Sequence, residues 1–212
     1  MSSTFHDFLK KRLQQSLPGR EAQMKMMPEP VDPNTEVPGR SIDSSGHPSG
    51  VLVPIYADGN QDLNVILTLR TDSIRHAGQI SFPGGRSEES ESIVETALRE
   101  THEEIGIESK YIDVLGSLTP FYLHRTNNRI TPVVGFLEHK PIMQRNPNEV
   151  EEIITVKLDM LLNNEMRETE KWDLSENSFH VPFWSFHRVP LWGATAMMMS
   201  ELLEIYREFL KN

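Results

Sequence analysis

The sequence predicts an α/β fold of the α+β kind, with a mixed central sheet flanked by helices on both faces. Three observations predict it. Short apolar segments at 49–56, 64–69, 111–118, 130–138, 153–158 and 179–186 read as strands. Two longer segments, about 92–105 and 194–210, carry the 3.6-residue period of amphipathic helices. A length of 212 residues suits one domain with an arm and is enough to bury a core.

In chain order, residues 4–16, TFHDFLKKRLQQS, place Phe5, Phe8, Leu9 and Leu13 at helical spacing, and Pro18-Gly19 stop the run. Leu17–Pro48 holds six of the 14 prolines, which predicts an extended connector with Met24, Met26 and Met27 available to dock it. Residues 1–48 are thus expected to form an N-terminal helix and a proline-rich arm, and 49–212 the main domain. Ser49–Tyr56 is a strand, Asp58-Gly59-Asn60 its turn, and Asn64–Leu69 the returning strand of a hairpin. Arg70–Gly78 is polar, and Gln79–Phe82 is a short strand leading into Pro83-Gly84-Gly85.

The central helix starts at about Ser92, where Ser92 and Glu95 match a capping box, and Gly106 is its stop. Its apolar stripe is read as Val94, Leu98, Thr101 and Ile105. Strands follow at Tyr111–Leu118 and Ile130–Glu138, with the polar segment Thr119–Arg129 between them. Asn146–Glu149 is a turn, Ile153–Leu158 a strand, Asp159–Asn163 one helical turn, and the next stretch a polar loop. Phe179–Phe186 is the last strand, and the helix from about Ala194 buries Met199, Leu202, Leu203, Tyr206 and Leu210.

The charge balance is 21 basic against 31 acidic residues, net −10. That sign disfavours nucleic acid and anionic membranes as partners. With no cysteine, disulfides, thiolate metal sites and cysteine nucleophiles are excluded. The longest apolar runs are too short to span a bilayer and the N-terminus lacks a signal-peptide core, so a cytoplasmic protein is expected.

Chemistry concentrates in Gly85–Ile107, GRSEESESIVETALRETHEEIGI. Glu100, Glu103 and Glu104 stand at i, i+3 and i+4, and so share one face of the central helix. Like charges so placed repel by roughly 0.2–0.5 kcal/mol per pair. Between Glu91 and Glu104 the only formal cation is Arg99. A hard divalent cation on oxygen ligands would neutralise the patch. A solvated acidic face is the plain alternative.

A resemblance bears on the choice. Gly85, Glu91, Arg99-Glu100, Glu103-Glu104, Gly106 and Ile107 match every fixed position of the signature of the Nudix hydrolases. Seven fixed identities, at about one in fifteen each, coincide by chance in on the order of one in 10^8 windows. Thr101 stands where the family prefers an aliphatic residue. The segment ahead, Leu67–Gly85, LTLRTDSIRHAGQISFPGG, resembles the coenzyme A pyrophosphatase branch at Arg70, Arg75, His76, Gly78, Gln79 and Phe82–Gly85. One residue between arginine and histidine is missing relative to that pattern, so the pairing of Arg75 and His76 with branch positions stays open. Asn146–Val150 and Leu191–Ala196 also resemble the branch, and together the resemblance spans about 49–205.

The resemblance implies a Nudix-like α/β/α sandwich that hydrolyses coenzyme A to 3′,5′-ADP and 4′-phosphopantetheine with Mg²⁺ or Mn²⁺. Such ions neutralise phosphate charge, orient groups and sharpen a water nucleophile. Glu100 and Glu104 are the expected metal ligands, and Glu103 a further ligand or the base that orients or deprotonates water. Arg99 is expected to orient a carboxylate. Arg70 and Arg75 suit phosphate oxygens, or else surface salt bridges. Gly84 and Gly85 let backbone pass close to the metal face. His76 is a ligand contact or a loop hydrogen-bonder, and Glu149 a further ligand, a base or a solvated residue. Trp192 and Phe183 are read as core or interface residues ahead of adenine stackers. Another nucleoside diphosphate derivative, such as ADP-ribose or a dinucleotide, is the alternative substrate, and a non-catalytic binding module the alternative class. Family members are often homodimers, and the arm is long enough to reach a second copy.

Overall fold

Alternation of buried side chains builds the centre of the protein. The computed structural model describes residues 2–35, 46–71 and 78–212. In β2 (His47–Ala57), Val51, Val53 and Ile55 enter one apolar cluster, while Leu52 and Tyr56 enter another on the opposite face. β3 (Leu63–Arg70) repeats the pattern with Val65, Leu67 and Leu69 against Ile66. Strands buried on both faces sit at the middle of a layered structure, because a side-chain period of two feeds each face in turn.

These strands belong to a mixed eight-stranded sheet. β2 pairs antiparallel with β3, as the predicted hairpin, and parallel with β8 (Asn128–Leu137). β3 also pairs with β4 (Ile80–Ser81) and β9 (Val150–Lys157). β5 (Gly84–Arg86) lies on β2, and β6 (Asp113–Ser117) and β7 (Phe121–Leu123) lie on β8. A second, smaller sheet is built on the hairpin of β10 (Arg167–Leu174) and β11 (Asn177–Trp184), with β1 (Glu29–Pro30) and β12 (Leu191–Trp192) on the far edge of β11.

Helices cover both faces. α3 (Ile93–Ile105) packs through Ala97 and Ile105 on the side of Leu52 and Ile66. α1 (Ser2–Arg12), α4 (Leu158–Leu162) and α5 (Gly193–Leu210) cover the other side. Phe5 of α1 is fully buried, with its ring 5.4 Å from Tyr206 and 5.0 Å from Phe209. Among the described residues, no helix is long and apolar enough to cross a membrane.

Several local expectations are corrected. The connector holds a helix, α2 (Gly19–Met24), with Ala22, Gln23 and Met26 buried. The Gly19 amide and the Gln23 amide group donate to buried Glu201 at 3.0 and 2.9 Å, which fixes this turn between the flanking prolines. The stretch read as a polar loop is β10, whose mostly exposed side chains leave no hydrophobic period; its position comes from pairing along the whole of β11. On α3 the buried residues are Thr96, Ala97, Thr101, Glu104 and Ile105, and Val94 is exposed. Leu210 is 54% exposed because α5 ends beyond the core.

Candidate active site

The ends of α3 fix its rotation. Ser92 Oγ accepts from the Glu95 amide at 3.2 Å and Glu95 Oε2 accepts from the Ser92 amide at 2.8 Å, a closed capping box. Gly106 ends the helix at φ 75°, a left-handed position suited to glycine. Between these ends α3 lies directly on β2, since a Cβ on Gly50 would fall 2.5 Å from the Ile93 carbonyl oxygen. Its acidic face then meets β5. A Cβ on Gly85 would fall 2.5 Å from the Glu100 carboxylate, so only glycine leaves that carboxylate its place. Gly84 donates its amide to Glu104 Oε2 at 3.3 Å.

A third carboxylate arrives from outside the helix. The C-terminal carbonyls of α3 accept from the chain after β8: Glu104 O from the Asn146 amide at 2.8 Å and Ile105 O from the Gln144 amide at 2.9 Å. This docks the Asn146–Glu149 turn against α3. Asn146 then shapes it, its Oδ1 accepting from the Asn148 amide at 3.1 Å and its Nδ2 donating to Glu149 Oε1 at 3.3 Å. The result brings oxygens of Glu100, Glu104 and Glu149 within 4.8 Å of one another.

Burial makes this group costly. Glu104 is 1% exposed, and burial, reinforced by Glu100 and Glu149, pushes its carboxyl up to about 7, with Arg70 opposing. Arg70 Nη1 donates to Glu104 Oε1 at 3.2 Å. Burial likewise raises the Glu100 carboxyl, against the guanidinium of Arg99. Three oxygen donors that crowd and desolvate one another, with neither thiolate nor imidazole, suit a hard divalent cation such as Mg²⁺ or Mn²⁺.

Arg99 is committed to carboxylates. Its Nε donates to Glu91 Oε1 at 2.7 Å, and Nη1 donates to Glu100 Oε1 and to Glu103 Oε2, each at 2.9 Å. Nη2 donates to Glu91 Oε2 at 3.1 Å and to the Arg86 carbonyl at 3.2 Å. Arg99 draws the Glu91 carboxyl down to about 2. Glu95 is held in the capping box. Glu103 has a 49% exposed side chain and stands at the rim on Arg99, outside the converging group of Glu100, Glu104 and Glu149.

The structure therefore brings Glu100, Glu104, Glu149, Arg70, Gly84 and Gly85 together, with Arg99 and Glu103 beside them. Arg75 and His76 lie outside the described residues. Phe183 is buried in the second sheet and Trp192 packs edge-on to Trp172 at 5.3 Å. Sequence reasoning left Glu91, Asn146 and Arg86 without roles. Glu91 was a fixed position of the signature. Nothing local marked Arg86, whose side chain donates to Asn128 Oδ1 and the Thr126 carbonyl, each at 3.0 Å.

Comparison with known proteins places the chain in a family. The family model of the NUDIX domain matches residues 46–177. Nudix hydrolase 15, mitochondrial, of Arabidopsis thaliana is 35% identical over 158 residues, 70% of this chain and 54% of that protein, so the match spans about half its length. The peroxisomal coenzyme A diphosphatase of Mus musculus is 35% identical over 150 residues, 65% of this chain and 63% of that protein. The crystal structure of the Nudix hydrolase RenU from M. smegmatis has a TM-score of 0.53 at 17% identity, covering 76% of this chain and 86% of that one, a likeness of fold. With the matching domain over more than half of its length, this chain belongs to the Nudix hydrolase family.

Proposed function

We propose that this protein hydrolyses the diphosphate bond of coenzyme A in a divalent-metal-dependent reaction. Water adds to one phosphorus, the bridging P–O bond breaks, and 3′,5′-ADP and 4′-phosphopantetheine leave with the released protons. The convergence of Glu100, Glu104 and Glu149 carries the chemical part of this reading. They would hold Mg²⁺ or Mn²⁺, which when bound neutralises phosphate charge and lowers the pKa of a coordinated water. Glu103, at the solvent-facing rim, would orient the attacking water or take its proton, or add a ligand. Arg99 keeps Glu100 and Glu103 in register. Arg70 offers its guanidinium to a phosphate oxygen. Gly85 leaves the Glu100 carboxylate its place, and Gly84 holds Glu104 through its amide.

The substrate assignment is supported by the likeness of Leu67–Gly85 to the coenzyme A branch and by the similarity to the mouse coenzyme A diphosphatase. Arg75 is a further phosphate contact in this reading, and His76 a ligand contact or a loop hydrogen-bonder. Incubation with coenzyme A and Mg²⁺ or Mn²⁺, followed by chromatography, tests it. Release of 3′,5′-ADP is expected; intact coenzyme A under both metals would overturn it.

A further inference from the structure

Away from the carboxylates, a cavity of about 360 Å³ opens between α2, α4, α5 and the β10–β11 hairpin. Its floor is apolar: Met26, Leu161, Trp184 and Leu203 are all nearly fully buried. Its rim carries Lys25, Arg167 and Arg207 around one carboxylate, Glu204. In a chain of net charge −10 this is a local excess of two positive charges.

The hydrogen bonds sharpen the point. Glu204 Oε1 already accepts from Lys25 Nζ at 2.5 Å and Arg207 Nη1 at 2.8 Å. The Arg167 guanidinium donates to the Lys25 carbonyl at 2.8 Å, and a guanidinium carries five N–H donors. Trp184 Nε1 is satisfied by the Leu161 carbonyl and the Ser200 hydroxyl by the Ala22 carbonyl. Arg167 thus keeps donor capacity at the rim, next to an apolar floor, with Glu204 Oε2 the opposing acceptor. The volume lies at the small end of ligand pockets.

We infer that this cavity is a second binding site, for a small organic anion with an apolar body. The anionic group, a carboxylate or a phosphate monoester, sits between Arg167, Lys25 and Arg207, and the apolar part lies on Trp184, Leu203 and Met26. Glu204 sets a limit of one anionic group, because a second would face it. This inference stands apart from the hydrolase reading, since none of these residues meets the carboxylate group on α3 and the readout is binding.

Thermal unfolding and tryptophan fluorescence of the full chain, with EDTA present, test it. Hexanoate and hexyl phosphate are the two anionic probes, with hexanol and inorganic phosphate as controls. At tenfold its Kd an occupying anion should raise Tm by about 3 °C and alter the emission to which Trp184 contributes. Whichever probe acts more strongly names the preferred anionic group. Hexanol and inorganic phosphate should have much smaller effects. The effect should vanish in the double variant Arg167→Gln/Arg207→Gln, and fall at least severalfold in Arg167→Gln alone, which removes an exposed side chain and no ion pair. No shift with either anion, an equal shift with hexanol, or an unchanged shift in the variants would overturn the site.

Discussion

Replacing Glu104 with glutamine should stabilise the metal-free protein at alkaline pH while abolishing turnover. Glu104 is 1% exposed and its carboxyl stands at about 7 against an ordinary 4.5. A carboxyl whose pKa is raised by folding holds its proton longer in the folded state. Stability is therefore greatest below the unfolded value and declines as pH rises from about 4.5 through about 7. At pH 8 the full penalty applies, and a rise of this size corresponds to about 3 kcal/mol. Glutamine carries none of it, and its carbonyl still accepts from the Gly84 amide. The attraction of Arg70 is already contained in that rise, which it opposes. The net gain at pH 8 is then about 3 kcal/mol, or roughly 6–12 °C in Tm for a chain of this size. At pH 4, where wild-type Glu104 is protonated, the gain should disappear or reverse. The assay is thermal or urea unfolding of both proteins in EDTA at pH 4 and pH 8. Equal destabilisation of the variant at both values would refute the claim that burial strains this carboxylate. Adding Mg²⁺ at pH 8 should raise the Tm of the wild type and leave the variant nearly unmoved, because a ligand stabilises only the state that binds it.

Glu149→Gln should raise the Mg²⁺ concentration for half-maximal activity about tenfold or more, whereas Glu103→Gln should lower kcat with a smaller change in metal requirement; metal titrations of the two variants compare them. Arg99→Ala frees Glu91, Glu100 and Glu103 together, and should cost about a hundredfold in kcat, with Arg99→Lys recovering little because a point charge does not copy the fork. Gly85→Ala should drive Glu100 from its position and reduce activity about a hundredfold, with near-native circular dichroism, as measured by initial rates. Phe5→Ala should lower stability by about 3–5 kcal/mol in urea unfolding, since its ring is fully buried against α5; a near-zero effect would contradict the packing of α1 on the body.

What could be read from the sequence was what depends on local spacing. The capping box at Ser92, the stop at Gly106 and the hairpin from Ser49 to Leu69 all reappear because each is specified within a few residues. The face carrying Glu100 and Glu104 was legible for the same reason. What was not legible depends on tertiary contact. The wheel expected Val94 inside, but the close approach of Gly50 to Ile93 and Ala97 rolls α3 so that Thr96, Ala97 and Thr101 are buried and Val94 faces out. The strand β10 has the composition of a loop, and its partner β11 makes it a strand. Glu149 gave only a weak hint in an acidic run, because its place beside Glu100 and Glu104 is set by amides docking on the end of a helix more than forty residues earlier.

The central claim, that these carboxylates serve hydrolysis of a coenzyme A-like diphosphate, is tested most directly by kcat/KM with Mg²⁺ for coenzyme A and for ADP-ribose, measured side by side on wild type and Glu104→Gln. The account predicts a clear preference for coenzyme A in the wild type and loss of turnover of both in the variant. A preference for ADP-ribose would contradict the substrate assignment, and full activity in Glu104→Gln would contradict the site itself.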